Sequence, residues 1–304
     1  MNTTDAPWAV FCMPLQLEYD EVRNLLRGGD FGTRKERDTH YATTALQGRH
    51  TGWNVALTVS DHQNEAAAVA VERAVAAFSP QVLFMVGIAG GRRDSAIGDV
   101  IAATEVYGYE SGKETDEEVL TRIKTLPSSY RLTQEAREVD REGAWLDRLA
   151  LPARSAPPRV HHRPLAAGNR VIAGNASLTA ALLHRECGDA QGIEMEGYGA
   201  LAAAWRNSDV DVMVVRGVSD LVGGKDDASD AANQPVAARN AGAFALALLE
   251  QLEPRTGRGT AWEPPRQPRH SAADPVADRR RSSIRVEGRD FNGANIVGGD
   301  QYGR

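Results

Sequence analysis

The stretch from Gln81 to Gly91, "QVLFMVGIAGG", is apolar without interruption after its first residue and closes on two glycines. A run this short, with no polar residue on either alternating face, predicts a strand covered on both sides, as at the centre of a parallel sheet. Just upstream, "NEAAAVAVERAVAAF" (64–78) is long, alanine-rich and stopped by Ser79-Pro80. It predicts a helix, because the residue before a proline avoids the helical conformation. Further upstream, "WNVALTVS" (53–60) and "WAVFCMPL" (8–15) read as strands, the latter followed by the acidic helix start "EYDEVRNLL". Downstream, "GDVIAATEVYGY" (98–109) is β-rich, and "PLAAGNRVIAG" (164–174), "GIEME" (192–196) and "DVMVVRGVSD" (211–220) are each succeeded by a helical stretch. The amphipathic segment "PVAARNAGAFALALLEQL" (235–252) predicts the last helix, starting at Pro235.

Strands alternating with helices predict an α/β fold with a largely parallel sheet covered on both faces. Residues 112–163 interrupt the alternation with the charged helix "TQEAREVDREGAWLDRLA" and a proline-rich loop, an excursion expected to lie over the sheet. Residues 1–253 are therefore read as one domain. Residues 254–283 lose all periodicity and read as an arginine- and proline-rich linker. Residues 284–304 regain alternation around Asn-Gly and Gly-Gly, as a small β tail would.

The net charge of −6 is unevenly spread, with nine arginines against four acids between Arg255 and Arg289. The body is thus more acidic than the total suggests, which argues against a nucleic-acid partner. The arginine-rich linker lacks the interleaved aromatics of a nucleic-acid arm and reads as a solvated spacer. Cys12 and Cys187 sit in apolar surroundings without metal or redox spacing. No stretch is long enough to span a membrane, and the N-terminus lacks the pattern of a signal peptide, so a cytoplasmic protein is expected.

Ligands of such sheets gather at the carboxyl ends of the strands, and the polar residues of this chain cluster there. "QGIEMEGYGAL" (191–201) sets Glu194 and Glu196 around Met195 in an otherwise apolar strand-to-helix turn, although buried carboxylates are costly without partners. Asp220 ends "DVMVVRGVSD". Taken alone, the two glutamates also read as first-turn acids favoured by a helix dipole, and Ser219-Asp220 as a helix cap.

"VGIAGG", "GNRVIAG", "IEMEGYGALA" and "VVRGVSD", in that order, resemble the nucleoside phosphorylase and nucleosidase superfamily, especially its 5′-methylthioadenosine/S-adenosylhomocysteine nucleosidase branch. The resemblance covers residues 8–252. It implies a three-layer α/β/α sandwich with a central, mostly parallel mixed sheet, and cleavage of the bond between a purine and ribose without cofactor or metal. Asp220 then matches the acid that gives a proton to purine N7, a task for which burial would have to raise its pKa. Glu196 matches the acceptor of the ribose 2′ and 3′ hydroxyls and Met195 the side chain packed on the sugar, with Glu194 in support. Glu18 matches the base that activates water, and Glu21 is the alternative. Ile88, Ala89 and Gly90 match the segment lining the base and ribose.

Phosphorylases of the superfamily carry a glycine-rich phosphate loop where this chain has "SDHQNEAA", and Asp61 there would repel phosphate. Hydrolysis is therefore expected; phosphorolysis and a silent nucleotide-sensing module are the alternatives. Asn64 is expected to cap the helix that follows it, with contact to the sugar as the alternative. Val171 stands where the family places a base-stacking aromatic, with Arg170 beside it to stack on a base or meet a phosphate. Tyr109, Lys113 and Lys225 are expected to converge as a phosphate site. "YESGKE" and "GVSDLVGGKDD" look like nucleosidase modules of bacterial conflict and immune-signalling proteins, which implies a purine nucleotide such as AMP or ATP as substrate. The tail "FNGANIVGGDQYG" resembles short β segments of such proteins, expected to pair with a partner protein or another copy. The family's habit of assembly implies a homo-oligomer.

Overall fold

The apolar run forms β5 (Val82–Gly91), which pairs in parallel with β1 (Trp8–Met13) on one side and β14 (Asp211–Leu221) on the other. In this computed structural model the described residues are 6–255, excepting 27, 118, 150, 152–155, 173, 175–176, 208 and 223–226. All belong to the first of two units, Met1–Arg258. Lys225, the linker beyond residue 255 and the tail 284–304 lie outside the described residues.

Between β1 and β5 the chain forms α1 (Gln16–Leu25), β2 (Gly32–Glu36), β3 (Thr39–Gln47), β4 (Gly52–Val59) and α2 (Asn64–Phe78). After β5 come β6 (Val100–Ala102), β7 (Glu105–Gly108), β8 (Gly112–Glu114), β9 (Val119–Thr121), β10 (Lys124–Pro127) and α3 (Tyr130–Glu142). A 3-10 turn (Ala144–Arg148), β11 (Val160–His161), β12 (Leu165–Ala167), α4 (Leu178–Glu186), β13 (Gly192–Glu194) and α5 (Gly197–Trp205) precede β14, and α6 (Asp227–Gln251) follows it.

One mixed sheet carries the fold. Its centre, β4-β1-β5-β14, is parallel, whereas the hairpins β2-β3 and β3-β4 and the pairs β10-β7, β13-β5 and β14-β6 are antiparallel. Period-two alternation decides which layer each strand residue joins. Ala9, Phe11 and Met13 of β1 pack with Val82, Phe84 and Val86 of β5 under α1, α3 and α6. Val10, Cys12, Leu83 and Met85 face the opposite way, toward α2 and α5. The expected three-layer α/β/α sandwich is the observed one.

Three elements differ from the sequence expectations. Residues 32–47 form a hairpin that turns at Arg37 and Asp38, both with positive φ (47° and 63°), the backbone a two-residue hairpin turn demands. In "PLAAGNRVIAG" only Leu165–Ala167 is strand, and the chain then leaves the sheet so that Arg170, Val171 and Ile172 border a cavity. The last helix starts at Asp227 rather than Pro235, so the proline lies inside α6. Its missing backbone donor is tolerated because the packing that holds α6 comes later, from Ala237 through Leu249, where nearly every residue is buried.

Candidate active site

Beyond the C-terminal ends of β1 and β5, a cavity of about 240 Å³ is bordered by Glu18 of α1, Ile88–Gly90 of β5, Glu194–Glu196 at the β13–α5 turn, and Asp220 of β14. Arg216 lies beneath it, fully buried within β14. A buried guanidinium must be paired, and Nη2 of Arg216 donates to Glu194 Oε2 at 2.5 Å and Glu196 Oε2 at 3.0 Å. Its Nε and Nη1 have no hydrogen-bond partner among the described residues. Gly87 permits this arrangement. A Cβ on Gly87 would stand 2.2 Å from Arg216 Nη1 and 2.5 Å from Glu18 Oε1, so any larger residue would displace both the arginine and the carboxylate.

Glu18 is 1 % exposed, and its oxygens accept from Leu15 N at 2.7 Å and Ile88 N at 2.8 Å. Burial pushes its pKa up to about 7, against the pull of Arg216 and the two backbone donors. Glu21, the alternative, points elsewhere: its Oε2 accepts from Arg239 Nε at 2.9 Å. Of the two, Glu18 borders the cavity and Glu21 does not.

Glu194 and Glu196 divide two tasks. Glu194 accepts from the backbone N–H of Glu196 (3.0 Å) and of Gly197 (2.8 and 2.9 Å), so it satisfies the open start of α5 and anchors Arg216. With three donor groups sharing its two oxygens, this carboxylate is largely taken up within the protein. Burial raises its pKa, opposed by Arg216. Glu196 accepts from Gln63 N (3.0 Å) and Arg216 among the described residues, which leaves further lone pairs on its two oxygens. Met195 lies between them on the cavity wall.

Asp220 reaches the cavity through a β-bulge. The β14–β5 register slips between Val218 and Asp220, leaving Ser219 as the extra residue and turning Asp220 toward Gly90. There its Oδ1 accepts from Ser219 Oγ at 2.7 Å. The buried setting expected for this acid is only partly met, since Asp220 is half-buried.

Arg170 and Val171 border the open side of the cavity; Val171 is 62 % exposed, and Arg170 pairs loosely with Glu110 at 3.7 Å. Of the expected phosphate set, Tyr109 and Lys113 do not border the cavity, and Lys225 lies outside the described residues. Tyr109 is buried, packed over Gly168 beside Cys187 and Ala190, and burial raises the pKa of its hydroxyl. Its ring is apolar enough to prefer that cluster to a wet pocket mouth. Lys113 sits on β8, an exposed strand paired only with β9, and does not border the cavity. Asn64 does cap a helix, but not its own. Its Oδ1 accepts from Gly199 N of α5 at 2.8 Å, because the starts of α2 and α5 touch.

Sequence reading missed Arg216, His62 and Gln234, of which the last two also border the cavity. Arg216 had a signal: a lone cation inside the apolar run "DVMVVRGVSD" must find buried acids, and "IEME" is the place to look. His62 lies in a loop held by positive φ at Asp61 (63°) and Gln63 (79°), conformations the residue types do not announce.

A 5′-methylthioadenosine/S-adenosylhomocysteine nucleosidase of Maridesulfovibrio salexigens is 25 % identical over 209 residues, 67 % of this chain and 85 % of that one. The futalosine hydrolase of Helicobacter pylori matches with a TM-score of 0.66 at 17 % identity, covering 81 % of this chain and 99 % of that one. A 5′-methylthioadenosine/S-adenosylhomocysteine nucleosidase from Neisseria meningitidis, in complex with methylthio-immucillin-A, gives 0.66 at 18 % identity with the same coverages. These solved structures share the fold described above. The model of the phosphorylase superfamily matches residues 11–250, and with four-fifths of its length inside that match the chain belongs to the phosphorylase superfamily.

Proposed function

We propose that this protein is a purine nucleosidase that hydrolyses the N-glycosidic bond of a purine nucleoside or nucleotide, with an adenine nucleotide such as AMP or ATP as the favoured substrate. The observation that carries this reading is the convergence of Glu18, Glu196 and Asp220 on one cavity, with Arg216 beneath. Cleavage passes through a sugar with oxocarbenium character, so the purine must leave protonated and the growing positive charge must be met by negative groups. Asp220 delivers a proton to N7 as the N9–C1′ bond breaks. Glu196 accepts from the ribose hydroxyls, and its charge favours the transition state over the ground state. Glu18, with a pKa near 7, takes a proton from the water whose oxygen bonds to C1′. The products are free base and ribose or ribose phosphate.

Glu18 also supports hydrolysis over phosphorolysis, because a carboxylate at the attacking position repels phosphate and accepts a proton from water. The nucleotide preference draws its support from His62 and Arg170 at the cavity mouth, donors for a 5′ phosphate. A role as a bacterial immune effector would follow from depletion of that nucleotide, and rests on the resemblance of residues 109–114 and 217–227 to such modules.

The test is chromatography of products after incubation with a panel of purine nucleosides and nucleotides, with and without phosphate. Phosphate-independent release of adenine, fastest from a nucleotide, is expected. Release that requires phosphate would replace hydrolysis by phosphorolysis, and no free base from any compound would sink the reading.

A further inference from the structure

A second cleft, of about 590 Å³, adjoins the candidate active site and shares Ile193 and Val222 with it. Its lining is mixed: Ala180, Ala181 and Leu183 of α4 and Leu221 at the end of β14 (42 % exposed) are apolar, whereas Arg92, Arg93 and His184 are polar. Arg92 builds the far wall and is fixed there, since its guanidinium donates to Cys187 O at 2.7 Å and to the carbonyls of Ala190 and Leu183. That leaves a partly apolar space, larger than the active-site cavity, that borders it at Ile193 and Val222.

We propose that this cleft is an annex to the base pocket that takes an apolar substituent, alkyl or aryl, on the exocyclic nitrogen at C6 of the purine. The inference rests on the nucleosidase reading, and purine geometry connects the two cavities. N7 and the C6 substituent lie on the same edge of the base, opposite N9. With N9 toward the sugar at Glu196 and N7 at Asp220, a group on C6 passes along β14 beyond Asp220. Leu221 and Val222 follow Asp220 in the chain and line the cleft, with Ile193 facing them. A pocket of this kind buries the added apolar surface of the substituent, which a closed base site would reject by steric clash.

The test compares AMP and N6-benzyl-AMP, or the corresponding nucleosides if the protein prefers them, on the full chain and on Ala181→Trp. Ala181 is exposed on α4, so the variant keeps its fold while the indole fills the cleft. Wild type should cleave the benzyl compound with kcat/KM within about tenfold of the parent. Ala181→Trp should lower that value at least about tenfold for the benzyl compound and leave the parent within about twofold. Cleavage of the parent with the benzyl compound more than about tenfold poorer in wild type overturns the annex, as does a variant that treats both alike. If neither compound yields free base, the nucleosidase reading falls by itself. The annex is then decided by calorimetric titration of 6-benzylaminopurine: binding lost in Ala181→Trp supports it, and no binding to wild type overturns it.

Discussion

Replacing Glu18 by glutamine should change how stability responds to pH, and the structure gives the size. Burial raises the Glu18 carboxyl from its ordinary 4.5 to about 7. The folded chain therefore holds this proton more tightly than the unfolded chain. The resulting stabilisation is fully present below about pH 4.5 and is lost as the pH rises through about 7. A shift of this size corresponds to about 3 kcal/mol in all, of which roughly 2.5 kcal/mol is lost between pH 5 and pH 8. Glutamine does not titrate. It leaves one of the Leu15 and Ile88 donors poorly matched, a cost of about 1–3 kcal/mol that does not depend on pH. The difference in unfolding free energy, wild type minus Glu18→Gln, should thus fall by about 2.5 kcal/mol from pH 5 to pH 8, whatever its absolute value. Urea unfolding followed by circular dichroism at several pH values measures it. A difference that stays constant, or grows with pH, refutes the buried, proton-retaining setting of Glu18. On the activity side the base works deprotonated, so kcat/KM should rise with pH through about 7.

Asp220→Asn and Glu196→Ala should each slow base release at least about a hundredfold with unchanged circular dichroism, and a smaller loss in single-turnover assays would remove that residue from the mechanism. Glu21→Ala should leave activity within about twofold, since its carboxylate is tied to Arg239 away from the cavity; a loss as deep as that of Glu18→Gln would reverse the choice between them. A Cβ at Gly199 would stand 1.9 Å from the carbonyl oxygen of Asn64. Gly199→Ala should therefore destabilise by about 3 kcal/mol, a drop of roughly 6–12 °C in Tm by scanning calorimetry, and a Tm unchanged within about 2 °C would mean that the α2–α5 contact is loose.

Most of the scaffold was legible because its elements are locally determined. "NEAAAVAVERAVAAF" is a helix over the residues its pattern marks, and Ser79 ends it in a left-handed conformation just before Pro80. The β2–β3 hairpin was not legible, because its turn uses Arg37 and Asp38 where glycine or asparagine would have signalled it. Within the site, Glu18, Ile88, Glu196 and Asp220 border the cavity as their strand-end positions suggest. Tyr109 and Lys113 do not, although they too follow a strand end. One ring packed against Gly168 in a buried cluster, and one lysine went onto a separate exposed hairpin.

By itself the sequence determined the order of strands and helices, the burial of "QVLFMVGIAGG" and the clustering of acids at the ends of strands, because hydrophobic period and chain punctuation act over a few residues at a time. Only the tertiary structure decided what each acid does. Sheet pairing brought Arg216 of β14 against Glu194 and Glu196, some twenty residues away, and across Gly87 to Glu18, far earlier in the chain. The bulge at Ser219 then turned Asp220 into the same cavity. A buried charge takes its partner from whatever the fold places beside it, and that is fixed by strand order and register, not by neighbours in sequence.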